Sequence, residues 1–189
     1  MKRALLTAAA VALGLGLAAC ETATPYVPAP PGPAAAAYGY RDTKIDSTHW
    51  RVSFSGNSLT SRETVEKYLL YRAAELTLQQ GFDWFEETGA YTEERTRYYL
   101  NDRPAAGDAV QSEYRWRLRW SDHGPVAGWR FWRREGRSPP DSDNAFTTQR
   151  YIATAEIVAG NGPPPQGRRV LDAHRLTAEL GPGIERPPG

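Results

Sequence analysis

The sequence predicts an α+β fold: an antiparallel sheet of about five to six strands, with one long helix and a short C-terminal helix packed on one face. Three observations carry this. Several stretches alternate apolar and polar residues, as Trp50, Val52 and Phe54 do against Arg51, Ser53 and Ser55, which is the period of a half-buried strand. Residues 61–80 instead repeat at helical spacing, with Val65, Leu69, Ala73 and Leu76 in one stripe and Leu70, Ala74 and Leu78 widening it. All six tryptophans fall between Trp50 and Trp132, which marks a single folded domain over 41–180.

Each element follows from local chemistry. The first strand, 49–56, ends at Gly56, and Asn57-Ser58 turn the chain. Thr60-Ser61-Arg62-Glu63 has the form of a capping box, in which the Thr60 hydroxyl accepts from the Glu63 amide and the Glu63 carboxylate reaches back. Gly81 ends the helix, because a glycine takes positive φ at little cost. "FDWFEET", 82–88, then reads as a strand, and 89–100 as a hairpin with "RTRYYL" as its second arm. The Asn, Asp, Pro and Gly content of 100–109 makes a loop. "SEYRWRLRW", 112–120, is the clearest strand: Tyr114, Trp116, Leu118 and Trp120 face one way, and Arg115, Arg117 and Arg119 the other. "SDHGP" turns the chain into a hairpin partner at 126–135; a polar loop follows at 135–144 and a long strand at 146–160. Residues 168–180 form the short helix, with Val170, Leu171, His174 and Leu180 partly buried. Antiparallel strands covered by helices on one face leave the arginine face solvated.

The ends of the chain speak to location. Lys2 and Arg3 precede an uncharged run from Ala4 to Ala19, too short for a membrane-spanning helix of about 20 apolar residues and suited to a secretory signal peptide at 1–19. Leu17-Ala18-Ala19-Cys20 resembles the lipobox of bacterial lipoproteins, and Cys20 is the only cysteine. That resemblance implies cleavage between Ala19 and Cys20, diacylglycerol on the Cys20 sulfur and acylation, palmitate included, of the new amino terminus. The thiolate is the nucleophile that takes the lipid. Glu21, rather than Asp, implies an outer-membrane lipoprotein facing the periplasm, with the inner membrane as the lesser alternative. Residues 20–40, rich in Pro and Ala, read as a semi-rigid tether, and 181–189 as a disordered tail.

One cysteine excludes intramolecular disulfides, and its lipidation removes thiolate catalysis and thiolate metal sites. Loss of Lys2 and Arg3 with the leader takes the formal charge from +1 to about −1, which gives no reason to expect nucleic acid. Locally the charge is uneven. Asp83, Glu86, Glu87, Glu93 and Glu94 fall in a segment without a base, and 115–137 holds seven arginines against Asp122 and Glu135. Mutual neutralisation across neighbouring strands is the simpler explanation. The alternative is a basic aromatic face, Arg115, Arg117, Arg119 and Arg130, that grips an anionic envelope glycan or lipid.

No constellation of catalytic residues stands out. His49, His123 and His174 lie in separate elements without metal-ligand spacing, so neither metal nor cofactor is expected. No GxSxG occurs, and the adjacent acids at Glu86-Glu87 and Glu93-Glu94 point to opposite faces of a strand. The expectation is therefore a binding or assembly module with envelope partners and not an enzyme, with an acid-residue envelope hydrolase the least favoured alternative. Arg72 and Glu75, one turn apart at the edge of the apolar stripe, are expected to form a structural ion pair, and Arg72→Leu to leave the protein folded.

Residues 49–68 ("HWRVSFSGNSLTSRETVEKY"), "RAAELT" at Arg72–Thr77 and "GFDWF" at Gly81–Phe85, behind a lipobox and a "GY" start near Tyr40, resemble a Caulobacter-type family of alphaproteobacterial lipoproteins. The later strand "YIATAEI" fits as well. The resemblance covers about Tyr38 to Phe85 well and the rest loosely, and "FDWFEETGAY" is less hydrophobic than the family's strand. It implies the location and the fold and brings no activity, ligand or catalytic residue.

Overall fold

The computed structural model describes residues 22–32, 37–100, 103–104, 109–121, 124–134 and 145–187, with the backbone alone for 98–100, 103–104, 109–134 and 145–147 where these fall within those ranges. The fold is α+β, with a longer helix, a short C-terminal helix and an antiparallel sheet.

The strands are β1 (Gly39–Lys44), β2 (His49–Ser55), β3 (Trp84–Leu100), β4 (Arg103–Pro104), β5 (Ala109–Ser121), β6 (Gly124–Arg134), β7 (Ala145–Gly160) and β8 (Val170–Asp172). The main path runs β1-β2-β7-β3-β5-β6. The far edge of β3 is shared along its length: β8 pairs with Trp84–Glu86, β5 with residues 90–96, and β4 with Tyr99 and Leu100. Helix α1 (Arg62–Gln79) lies across β2, β7 and β3, and α2 (Ala173–Leu180) packs beside it. β5 and β6 continue the sheet on the other side of β3.

Alternation explains the core. Trp50, Val52 and Phe54 from β2, Ala153, Ala155, Ile157 and Ala159 from β7, and Phe85 and Ala90 from β3 are buried beneath Val65, Leu69, Ala73 and Leu76 of α1. The alanines of β7 let the helix approach closely. The second apolar surface of α1 is buried too: Tyr68, Leu70, Tyr71 and Ala74 are covered from outside the sheet, near Leu176 of α2. Phe54 meets Tyr68 edge-on at 5.1 Å, a geometry worth about 0.5–1.5 kcal/mol beyond area alone.

Several sequence expectations are corrected. The helix starts one residue later than the capping box implies: Ser61 is the N-cap, its hydroxyl accepting from the Thr64 amide at 3.1 Å. Thr60 is occupied elsewhere, accepting from the Thr24 amide and donating to Asn57 Oδ1. Gly81 closes the helix at φ 81°, as expected. No hairpin divides 84–100. β7 pairs with β3 from Trp84↔Gly160 to Leu100↔Ala145, so a long partner satisfies the ladder that a hairpin would otherwise have to supply. Thr88 is the extra residue in that ladder, and the bulge lets the strand bend without reversing. The C-terminal segment begins as strand β8, with Leu171, Ala173 and Leu176 buried and His174 exposed. The connections at 122–123 and 135–144 lie outside the described residues.

The two ends also differ from expectation. Over 22–32 the chain does not stand off the domain. Thr24 and Tyr26 are buried, and Val27–Ala29 pairs with Tyr40 along the outer edge of β1, through Tyr40 N to Val27 O and Ala29 N to Tyr40 O, both 2.8 Å. Proline suits this place, because an edge partner needs few donors. Gly39 is required there. Its φ is 111°, and a Cβ would lie 2.4 Å from the Val27 carbonyl oxygen. The tail is likewise docked through Arg186 rather than disordered from 181. Gly181–Gly183 make a 3-10 turn and Ile184 is buried. Glu185 donates its amide to the Tyr68 hydroxyl at 3.0 Å and accepts from the Tyr26 amide at 2.7 Å. Tyr26 at one end and Ile184 at the other supply burial that the Pro, Ala and Gly content hides.

Candidate functional site

The densest polar constellation among the described residues forms where both ends of the chain meet α1. Arg72 and Glu75, one turn apart, do pair, Nη1 to Oε2 at 2.5 Å. The pair is part of something larger. Asp42 of β1 takes the other side of the guanidinium, with Nε 3.1 Å from each carboxylate oxygen and Nη2 2.5 Å from Oδ2. The Tyr26 hydroxyl donates to Glu75 Oε2 at 2.6 Å. The Tyr40 ring lies under the guanidinium, 4.4 Å from centroid to Cζ. Arg186, from the tail, covers the Tyr26 and Tyr71 rings and donates to the Tyr71 hydroxyl at 2.9 Å. Two arginines and two carboxylates make the group formally neutral.

Burial disfavours the Arg72 charge, but hydrogen bonds and charge from Asp42, and then the bond to Glu75, outweigh it and push its pKa further up. Burial, then donation to the Glu75 carboxylate, pushes the Tyr26 phenol far above its ordinary range, so it remains a neutral donor. The Arg72 side chain is only 8 % exposed, against 22 % for Asp42 and 25 % for Glu75. The fork-to-carboxylate geometry and the stacked ring are what Arg, and not Lys, provides.

A second polar contact lies nearer the start of α1. Glu66, buried in the helix–sheet interface, accepts from the Thr92 hydroxyl of β3 at 2.9 Å, and Arg62 Nε stands 3.8 Å from the same oxygen. Burial pushes the Glu66 carboxyl up to about 7, against the pull of Thr92 and Arg62, while Glu63 adds to the rise. A carboxyl titrating there has the affinity general acid–base chemistry uses, but its hydrogen bond is to an equally buried core hydroxyl. It serves as an internal polar tie between helix and sheet.

The remaining sequence candidates separate. Cys20 and Ala19 lie outside the described residues. Arg115, Arg117 and Arg119 occupy alternate positions of β5, opposite Phe131, Gly128 and Val126 of β6, while Arg130 is the bulge residue that the ladder skips. Their side chains are not described. The acidic and basic segments touch where β3 pairs with β5, but the ladder sets Tyr91 opposite Arg115, Glu93 opposite Glu113 and Glu94 opposite Ser112, so it does not match acids to arginines as expected. The acids have other partners. Glu86 pairs with Arg168 at 2.8 Å, Glu93 with Arg95 at 2.6 Å, and Asp83 accepts from the Gly162 amide. Glu86 and Glu93 are seven residues apart on one strand, roughly 20 Å, beyond the spacing of two-carboxylate hydrolysis. Among the described residues no cluster of three His, Cys, Asp or Glu side chains is placed to hold a metal ion, and no helix is long and apolar enough to cross a membrane.

Asp42, Tyr26 and Arg186 were missed from sequence because their partners are distant in the chain. Only Glu66 carried a local signal, an acid within the helix's apolar arc and four residues after Arg62. Comparison with known proteins finds no matching family model, curated protein or solved structure.

Two predictions follow from these contacts. Arg72→Leu leaves Asp42 and Glu75 facing one another without their cation. It is expected to cost about 3 kcal/mol in chemical denaturation, the range for breaking a buried pair from one side. A loss below about 1 kcal/mol would return Arg72–Glu75 to the status of an edge pair. For Glu66 the folded pKa, about 7, lies above the unfolded value of 4.5. The native state therefore binds more protons between those values. The stability this group contributes is whole below about pH 4.5 and lost as pH rises through 7, up to roughly 3 kcal/mol. Glu66→Gln should remove that slope, so the stability difference between variant and parent must change between pH 4 and pH 8; a constant difference rejects the assignment.

Proposed function

We propose that this chain is a lipid-anchored envelope lipoprotein on the periplasmic side of the outer membrane, acting as a binding or assembly module and not as an enzyme. The observation that carries this reading is the lipobox Leu17-Ala18-Ala19-Cys20 behind a basic, apolar leader, with the chain's only cysteine at the acceptor position. The separation of the acids in β3 supports the non-catalytic part, as does the individual pairing of Glu86 and Glu93 with arginines. The resemblance to Caulobacter-type lipoproteins agrees with the anchor and is part of the same proposal. Envelope proteins are the proposed partners.

A second reading is favoured by the register of β3, β5 and β6, which sets Tyr91 and Phe131 on either side of Arg115, in the row that Arg117 and Arg119 continue. Such a surface suits an anionic envelope glycan or lipid. Binding to lipopolysaccharide that is unchanged when Arg115, Arg117 and Arg119 are all Gln would sink it.

The anchor is tested in cells by labelled fatty acid. The parent protein is expected to take up label and sediment with membranes. Cys20→Ala is expected to take up none and to lose its lipid-dependent membrane association. A parent protein that carries no lipid overturns the proposal.

A further inference from the structure

Of the chain's four asparagines, only Asn161 is followed by glycine. The pair sits just past the end of β7, in a turn where Asp83, Asn161 and Gly162 are all exposed. The Asn161 side chain is held from both ends. Its Oδ1 accepts from the Asp83 amide at 2.9 Å, and its Nδ2 donates to the Gly81 carbonyl at 3.0 Å. The Asp83 amide is shared with the Gly160 carbonyl at 3.1 Å. The Gly162 amide donates to Asp83 Oδ2 at 3.2 Å, and the Gly162 carbonyl accepts from Trp84 Nε1 at 2.9 Å. Gly162 has a φ of 70°, and nothing lies within 4 Å of where its Cβ would stand, so no side chain crowds its nitrogen.

These contacts are the parts of an acyl-transfer reaction. A main-chain nitrogen one residue after an asparagine can attack the side-chain carbonyl carbon and close a five-membered imide. Three things speed such a step: a base on the attacking N–H, a donor on the carbonyl oxygen and a fixed geometry. Asp83 supplies the first two. Its carboxylate receives the Gly162 N–H, the bond that must break. Its own amide points at Asn161 Oδ1, the atom on which negative charge develops. The bonds to Gly81 and Trp84 hold the two reacting residues against the end of α1 and the start of β3.

We infer that Asn161 is a site of intramolecular deamidation, in which Asp83 activates the Gly162 nitrogen against the Asn161 side-chain amide. The Gly162 nitrogen bonds to Asn161 Cγ as its proton passes to the Asp83 carboxylate. The Cγ–Nδ2 bond then breaks, and Nδ2 leaves as ammonia, taking that proton and restoring the carboxylate. Water opens the imide at either carbonyl. The product is aspartate at 161 or its isoaspartyl form, in which the main chain runs through Cγ. Either one lacks the donor to Gly81 and sets a second carboxylate beside Asp83. The corner between α1, β7 and β3 is thereby loosened, once per molecule and independently of any lipid anchor.

The test incubates the full protein at neutral pH, folded in one sample and unfolded in guanidinium chloride in another. Peptide mapping by mass spectrometry reads aspartate and isoaspartate at 161 over time. The folded protein is expected to deamidate there faster than the unfolded chain. Asp83→Asn keeps an acceptor of the same shape and removes the base. It is expected to slow the folded-state reaction about tenfold or more, toward the roughly 10²-fold that a positioned general base contributes. A folded parent protein that deamidates no faster than the unfolded chain overturns the proposal, whatever the variant does. So does a folded Asp83→Asn protein as fast as the parent or faster, the result expected if these hydrogen bonds merely lock the turn.

Discussion

The guanidinium of Arg72 is the point on which the architecture converges. It is the one charge that α1 carries into its buried surface and that ties in two other parts of the chain: the N-terminal segment, through Glu75 and Tyr26, and β1, through Asp42 and the Tyr40 ring. Arg186 extends the cluster to the C-terminal segment. A charge at this depth is tolerable only with all its donors aimed at acceptors. The geometry that satisfies Arg72 therefore also dictates where both ends of the chain must lie. Aromatic rings fill the spaces between the charges, Tyr26 meeting Tyr68 and Tyr71 nearly edge-on.

This arrangement covers α1 on all sides. The sheet takes one face, through the small side chains of β7. The other face is closed by α2, the segment 22–32 and the tail through Ile184. A helix so enclosed needs little amphipathicity, and its buried residues run almost without interruption from Val65 to Thr77. The two acidic or basic side chains among them, Glu66 and Arg72, are each matched to a partner from a strand: Thr92 of β3 for one and Asp42 of β1 for the other. Those matches fix the helix's rotation and its height on the sheet more sharply than apolar contact does, because an unpaired buried polar group is costly and an apolar slip is cheap.

The class of fold, the long helix and its glycine stop, the hairpin at β5–β6, the length of β7 and the Arg72–Glu75 pair were all legible in the sequence. Each is set by neighbours within one or two turns, or by a period that local residues define. Glu66 lies in line with Leu70 and Ala74, an acid in the apolar arc, but nothing local names Thr92 as its partner. Four things needed the tertiary structure. β3 runs unbroken past Thr88 and Gly89 because β7, some sixty residues later, supplies its ladder. Ser61 caps the helix because Thr24 has already engaged Thr60. Asp42 and Tyr26 complete the Arg72 cluster from thirty and forty-six residues upstream. The terminal segments fold because their few aromatic and aliphatic side chains find tyrosines of α1, which composition dominated by proline, alanine and glycine cannot reveal. Local sequence settled what each segment can be. Only the packed molecule decided which polar groups meet, since the energy of a buried charge depends on partners that the chain brings together from afar.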